Sequence, residues 1–305
     1  MTLEFPLPTE EGREERLVAN DETTADAERV QKITAPMIRA RKGGPPITMV
    51  TAYDYPSARI ADEGGMDMIL VGDSVANVVH GHPTTISIDL DTMVLHTAAV
   101  ARAKPRALVI GDMPWLTYHL SEEATIKNAG RLIRDGGAEA VKLEGGRKRL
   151  PMIKALVETE IPVMGHIGLT PQSVHAMGGY RVQGKMVEDA RDLIKDSQAL
   201  DQAGIFALVL EGIPSALADI ITKEISAPTI GIGAGPGTDG QVLVFHDVLG
   251  LSYGRSPKFV RRFADLHAAA VAGIDAFRRA VENGTFPNED ESYHLSDEVA
   301  QALRD

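Results

Sequence analysis

The chain contains no cysteine. That excludes disulfides, thiolate metal sites and a cysteine nucleophile, and it leaves oxygen and nitrogen as the only donors for a metal. Positive charge is also short, with 31 Lys and Arg against 43 Asp and Glu and a net charge of −12. This balance argues against nucleic acid or an anionic membrane as a partner. No apolar run approaches the ~18 residues of a membrane span. The N-terminus lacks the basic region and apolar core of a signal peptide and is too acidic for a transit peptide. A soluble cytoplasmic protein is the expectation.

What is present is a regular alternation of short apolar runs and helical segments, in a chain whose 305 residues can bury a sizeable core. Asp67 to Ser74 sets the pattern: Met68 to Val71 is apolar and β-prone, and the run then breaks at Gly72 and delivers Asp73 and Ser74. A run this short and apolar reads as a strand buried on both faces, as in a parallel sheet. The pattern recurs with Asp112 after Ala107, Glu144 after Ala140 and Glu211 after Phe206. Further strands are expected at 47–54, 162–166, 228–233 and 242–245. Helices are expected at 56–63, 89–103, from 121 to Gly136-Gly137, and at 150–159, 188–203, 215–224 and 258–283. Eight strands with intervening helices in about 250 residues fit a single-domain (β/α)8 TIM barrel, with a doubly wound open sheet as the alternative. The barrel is favoured because acidic and polar residues end at least five strands instead of gathering at one switch point. Its domain would span 32–284, between an N-terminal extension at 1–31 and a tail at 285–305. The extension holds nine acids and three bases, a composition that predicts disorder. A short capping helix over Asp26 to Ala40 is the exception considered.

In such a barrel the strand ends share one mouth. Asp73, Asp112, Glu144 and Glu211 would therefore converge although 138 positions separate the first from the last. Three such acids, Asp73, Asp112 and Glu144, suit a hard cation that keeps several waters, most simply Mg²⁺. The competing reading is that each merely caps the next helix or pairs with a base. Lys142 lies two residues before Glu144 and points to the same side of the strand. It would clamp a substrate carboxylate or neutralise the acids. His166 ends the fifth strand and could be ligand, acid/base group or structural residue. The run Gly231 to Gly235 resembles a phosphate cradle, but close backbone packing explains it equally well. Arg147-Lys148-Arg149 reads as a solvated face or a steering patch.

Several motifs resemble one family. Val71-Gly-Asp-Ser74, Gly111-Asp-Met-Pro114, Val141-Lys-Leu-Glu-Gly-Gly146, Gly165-His-Ile-Gly-Leu-Thr-Pro-Gln-Ser173, Gly178-Gly-Tyr-Arg-Val-Gln-Gly184 and Pro228-Thr-Ile-Gly-Ile-Gly-Ala-Gly235 stand in the order found in ketopantoate hydroxymethyltransferases. Thr51-Ala-Tyr-Asp54 and Asn283-Gly-Thr-Phe-Pro287 extend the match to about 47–294. The resemblance implies a barrel of the phosphoenolpyruvate mutase/isocitrate lyase superfamily. It implies hydroxymethyl transfer from 5,10-methylenetetrahydrofolate to 3-methyl-2-oxobutanoate, giving 2-dehydropantoate (ketopantoate) for pantothenate and coenzyme A synthesis. Carried over by motif, Asp73, Asp112 and Glu144 match the acids associated with one Mg²⁺ per subunit. Asp73, Ser74, Asp112 and Lys142 match the ketoacid-binding set, and Glu211 matches the proton acceptor. The resemblance also implies a large homo-oligomer, often a decamer. Departures are Gly111-Asp-Met-Pro-Trp115 in place of Ala-Asp-Leu-Pro-Phe and the basic 147–149 run where acids are common. The rival reading is a metal-dependent oxo-acid lyase or phosphonate mutase of the same superfamily. Lyases of that group typically use a cysteine acid, which this chain lacks.

Overall fold

The computed structural model describes residues 31–254 and 256–304. The expected extension at 1–31 therefore lies outside the described residues except for Gln31. Eight parallel strands close into a barrel in the order of the chain: β1 (Ile47–Thr51), β2 (Met68–Val71), β3 (Leu108–Asp112), β4 (Ala140–Glu144), β5 (Val163–Gly168), β6 (Ala207–Glu211), β7 (Thr229–Ile232) and β8 (Gly240–Leu243). The helices are α1 (Ala35–Arg39), α2 (Tyr55–Glu63), α3 (Val75–Val78), α4 (Leu90–Ala101), α5 (Glu122–Arg134), α6 (Leu150–Glu158), α7 (Val174–Met177), α8 (Val187–Gln202), α9 (Ser215–Glu224), α10 (Phe245–Leu249), α11 (Leu266–Glu282) and α12 (Asp297–Ala302). Among the described residues no helix is long and apolar enough to cross a membrane.

The strands are apolar on both faces because both are covered. Every residue of β2, β3, β4 and β5 is buried. Side chains alternate between two packed layers. Ile47, Met49, Met68, Leu108, Ile110, Met164 and Val209 fill the barrel interior. Val50, Ile69, Val109, Val141, Leu143, Leu208 and Leu210 pack outward under the helices. Local chemistry fixes the helix starts. The Asp54 carboxylate accepts from Ser57 N at 2.8 Å while Ser57 Oγ accepts from Asp54 N at 3.1 Å, a reciprocal cap for α2. Ser121 caps α5, whose first turn carries Glu122 and Glu123 and whose last turn carries Arg131 and Arg134, matching the helix dipole.

Several expected boundaries move, and β5 runs two residues past His166 to Gly168. β1 stops at Thr51, since Asp54 is needed as the cap of α2. The eighth strand is Gly240–Leu243, because Phe245 already opens α10. The long terminal helix begins at Leu266 and not at Lys258, with Asp265 capping it through Ala268 N at 3.3 Å. The capping helix is α1 alone, beginning at Ala35; its expected start at Asp26 lies outside the described residues.

Short as it is, α1 closes the end of the barrel where the strands begin. Ile33, Ala35 and Ile38 join the interior core. Around them the polar groups of 32–43 are tied to the segments leading into six strands. Arg41 pairs with Asp67 ahead of β2 at 2.6 Å. Ile33 N donates to Arg106 O ahead of β3 at 2.9 Å, and Lys32 pairs with Glu139 ahead of β4 at 2.6 Å. Arg39 donates to Ile205 O ahead of β6 and to Ser226 Oγ ahead of β7. Lys42 pairs with Asp239 ahead of β8 at 2.9 Å.

Candidate active site

The opposite end of the barrel holds charge. The interior-facing positions that carry apolar residues low on each strand carry ionisable ones at the top: Asp112 on β3, Lys142 and Glu144 on β4, His166 on β5 and Glu211 on β6. Register sets their neighbours, since Asp112 pairs across to Lys142, and Glu144 to His166. Asp73 and Ser74 follow β2 directly and join the same cavity, of about 870 Å³. Every residue expected at the site is thus brought into one chamber.

Within it the charges are ordered. Lys142 Nζ donates to both carboxylate oxygens of Asp112 at 2.7 Å and lies 3.9 Å from Glu144 Oε1. Asp73 N donates to Asp112 Oδ2 at 3.1 Å. His166 Nδ1 is 3.4 Å from Glu144 Oε1, and its Nε2 is 3.2 Å from Glu211 Oε2. Neither ring nitrogen makes a well-aligned hydrogen bond, and each faces a carboxylate oxygen. Burial shapes the proton affinities. It raises Asp112 to about 6 against the pull of Lys142, with Asp73 adding to the rise. It raises Asp73 as well, helped by the charge of Glu144. Burial opposes the charge of Lys142, but Asp112, Glu144 and Asp73 outweigh it and raise the pKa above the ordinary lysine value. For His166 burial again opposes charge, and Glu144 and Glu211 overcome it, lifting the imidazole to about 9. His166 is therefore a buried cation at neutral pH.

Two residues given no role from the sequence hold the acids in place. Gln172 N donates to Glu144 Oε2 at 3.0 Å, and its side-chain amide donates to Asp73 Oδ2 at 3.0 Å and Met113 O at 3.1 Å. One residue thus fixes two acids from different strand ends. Tyr118 Oη donates to Gln172 Oε1 at 2.6 Å and accepts from Glu144 N at 3.4 Å. The hydroxyls of Tyr53 and Ser74 share a hydrogen bond of 2.8 Å. The only sequence signal for Gln172 is its place in Leu169-Thr-Pro-Gln172, a turn just past a strand top. The glycine run is closely packed at the chamber mouth. A Cβ on Gly233, at φ +62°, would meet the Phe259 ring at 2.7 Å, and one on Gly235 would meet Ser215 Oγ at 2.1 Å. As they stand, no three acids or histidines among the described residues are arranged to hold a metal ion. Lys142 and Gln172 occupy oxygens of Asp112 and Asp73, while Glu144 Oε1 is buried with no hydrogen-bond partner.

The family model described as ketopantoate hydroxymethyltransferase matches residues 32–289. The chain belongs to this family. The 3-methyl-2-oxobutanoate hydroxymethyltransferase of Koribacter versatilis is 54% identical over 258 residues, covering 85% of this chain and 88% of the relative. Those of Pelobacter propionicus and Thermoanaerobacter sp. (strain X514) are each 52% identical. They cover 87% and 88% of this chain and 98% and 97% of the relatives. Among solved structures, phosphonopyruvate hydrolase in complex with oxalate and Mg²⁺ aligns at a TM-score of 0.57 and 14% identity, over 89% of this chain and 95% of that one. 2,3-Dimethylmalate lyase, of the phosphoenolpyruvate mutase/isocitrate lyase superfamily, aligns at 0.54 and 18% over the same shares. These two share the fold. As a ketopantoate hydroxymethyltransferase the chain is a transferase acting on small molecules, and the family reaction forms ketopantoate, a pantothenate precursor.

Proposed function

We propose that the chamber carries out this reaction with one Mg²⁺ per subunit held by Asp73, Asp112 and Glu144, and with 5,10-methylenetetrahydrofolate as the one-carbon donor. The chemistry of the donor set, not its present arrangement, suits a hard divalent cation. Its donors are all oxygen, Glu144 Oε1 is buried and unpartnered, and four carboxylates gather at the strand tops beside Lys142 and His166. When bound, the ion would supply Lewis acidity to the 2-oxo group of the ketoacid. Lys142 and Ser74, with Asp73 and Asp112, bind and orient the ketoacid. Glu211 takes the proton from C3. The observation that carries this assignment is the His166–Glu211 contact. A histidine that already holds a proton between two carboxylates cannot accept another, and its Nε2 stands 3.2 Å from Glu211 Oε2 at the wall of the chamber. The carbon nucleophile so formed takes the methylene group from the carrier, with water supplying the hydroxyl oxygen of the product. Homo-oligomeric assembly and a cytoplasmic location complete the reading and rest on the family alone.

The test is ketoacid binding by calorimetry. Mg²⁺ should strengthen it, and EDTA or Asp112→Ala should each remove that gain. Ketoacid affinity indifferent to both would sink the metal assignment.

A further inference from the structure

The ketoacid residues occupy one side of the chamber, at the tops of β2 to β6. The remaining wall, from β7, β8 and the segment after α10, has a different character. It includes Ile232, Gly233, Leu243, Val244 and Phe259, and the Phe259 ring packs where a Cβ on Gly233 would stand. One further carboxylate, Asp247, lines this wall and has no place in the ketoacid set. It is held by the fold. Phe245 N donates to Thr51 Oγ1 at 3.0 Å, anchoring α10 at the mouth, and Ser252 Oγ donates to Asp247 Oδ1 at 2.5 Å. A carboxylate has about four lone-pair sites, so one such bond leaves it able to accept more. Arg181 and Lys258 stand at the rim of the same cavity, both exposed.

The donor named above is a flat reduced bicycle with an aminopyrimidine edge at one end and a glutamate carboxylate at the other. Resting on that reading, we propose that Asp247 is the specificity residue for the one-carbon carrier. It accepts the paired N–H groups of the aminopyrimidine edge while Phe259 stacks against the ring. Two adjacent N–H donors match the two oxygens of a carboxylate in the same planar way that a guanidinium does. An aromatic ring packed beside a residue with no side chain leaves a flat ligand an apolar partner to stack on. The rim cations suit the anionic tail.

The experiment measures tetrahydrofolate binding to full-length enzyme with Mg²⁺ and ketoacid present, together with KM for both substrates. Asp247→Asn should weaken tetrahydrofolate ~10–100-fold, the range of a hydrogen-bonded charge. Phe259→Leu should weaken it ~10-fold, as loss of a stacked ring does. In both variants KM for the ketoacid should stay near the wild-type value while KM for the carrier rises. Ser252→Ala separates recognition from loop structure, since it removes the internal partner of Asp247 but keeps the carboxylate. It should bind the carrier like wild type, and a loss equal to that of Asp247→Asn would mean that Asp247 merely holds its loop. If wild type binds tetrahydrofolate and both Asp247→Asn and Phe259→Leu bind it equally well, the inference is overturned and the carrier reading stands. If wild type does not bind tetrahydrofolate, the carrier reading itself fails.

Discussion

The two ends of the barrel are made from the same strands and have opposite contents. Reading inward positions upward, β3 runs Leu108, Ile110, Asp112, β4 runs Ala140, Lys142, Glu144, and β6 runs Ala207, Val209, Glu211. The lower positions belong to a dry core closed by Ile33 and Ile38. The upper ones form a buried ionic cluster in which Asp112, Lys142, Glu144 and His166 are all under 5% exposed. Burying charge is expensive unless it is paired. The comparison therefore teaches where stability is spent: the lower core supplies it, and the upper cluster uses part of it to hold charges ready.

If that division holds, variants at the two ends should fail in different ways. The largest effect is expected at the top. Glu211→Gln keeps shape and hydrogen bonding but not basicity, so it should bind Mg²⁺ and ketoacid yet lose ~10²–10⁴-fold in exchange of the C3 hydrogen with deuterated solvent. Asp73→Asn should lose ketoacid affinity along with exchange. Near-normal exchange in Glu211→Gln would move the base elsewhere and undo the division.

At the bottom, Leu108→Ala opens a cavity beside β3, where the side chain is 1% exposed. It should cost about 2–5 kcal/mol of stability in denaturant titrations while exchange persists at the wild-type rate in the folded fraction. A selective loss of exchange would show that the two ends are not independent.

A smaller effect follows from pH in EDTA-treated protein. The folded pKa of Asp112 is about 6 against an ordinary 3.8, and that of His166 is about 9 against 6.5. Both are raised, so in each case the folded state binds the proton more tightly than the unfolded one. Stability should then fall as pH rises from about 4 to about 6. It should fall again as pH rises from 6.5 to about 9, where the contribution of His166 is lost. Thermal melts should show this, and His166→Gln should flatten the upper step. The smallest effect is expected from deleting residues 1–31, which lie outside the matched motifs. Exchange should stay within about two-fold of the full chain, and a large fall at unchanged assembly size would give that segment a part in the site.

Much of the upper end was legible because a strand top is marked twice in the sequence, by an apolar run and by the polar residue that ends it. Asp112, Glu144 and Glu211 carry both marks, and their convergence follows once the strands close in chain order. Asp73 was legible for the same reason, although β2 itself stops at Val71. The supporting contacts were not legible. Gln172 reaches Asp73 across 99 positions and Tyr118 reaches Gln172 across 54. Neither partner is implied by any periodicity, because loops, not strands, carry them. The glycine run was readable as close approach or as a ligand cradle, and the positions of Phe259 and Ser215 supply the close approach. The start of α11 was misread because 258–265 has helical composition, whereas Asp265 caps the helix and Phe259 packs at Gly233.

The plug at the lower end has a consequence for traffic. With α1 and the interior core filling the end where the strands begin, the chamber among the described residues opens at the strand tops, and what reacts there passes the same rim. Asp73, Asp112, Lys142 and Glu144 are buried whereas Phe259, Arg181 and Lys258 are exposed, so a bulky carrier seated first would bar the smaller molecule. We therefore expect a fixed queue, with the ketoacid entering first and the spent carrier leaving before the product beneath it. Product-inhibition patterns report such a sequence directly. Ketopantoate should compete with the ketoacid alone, and random-order patterns would mean that the well has a second way in.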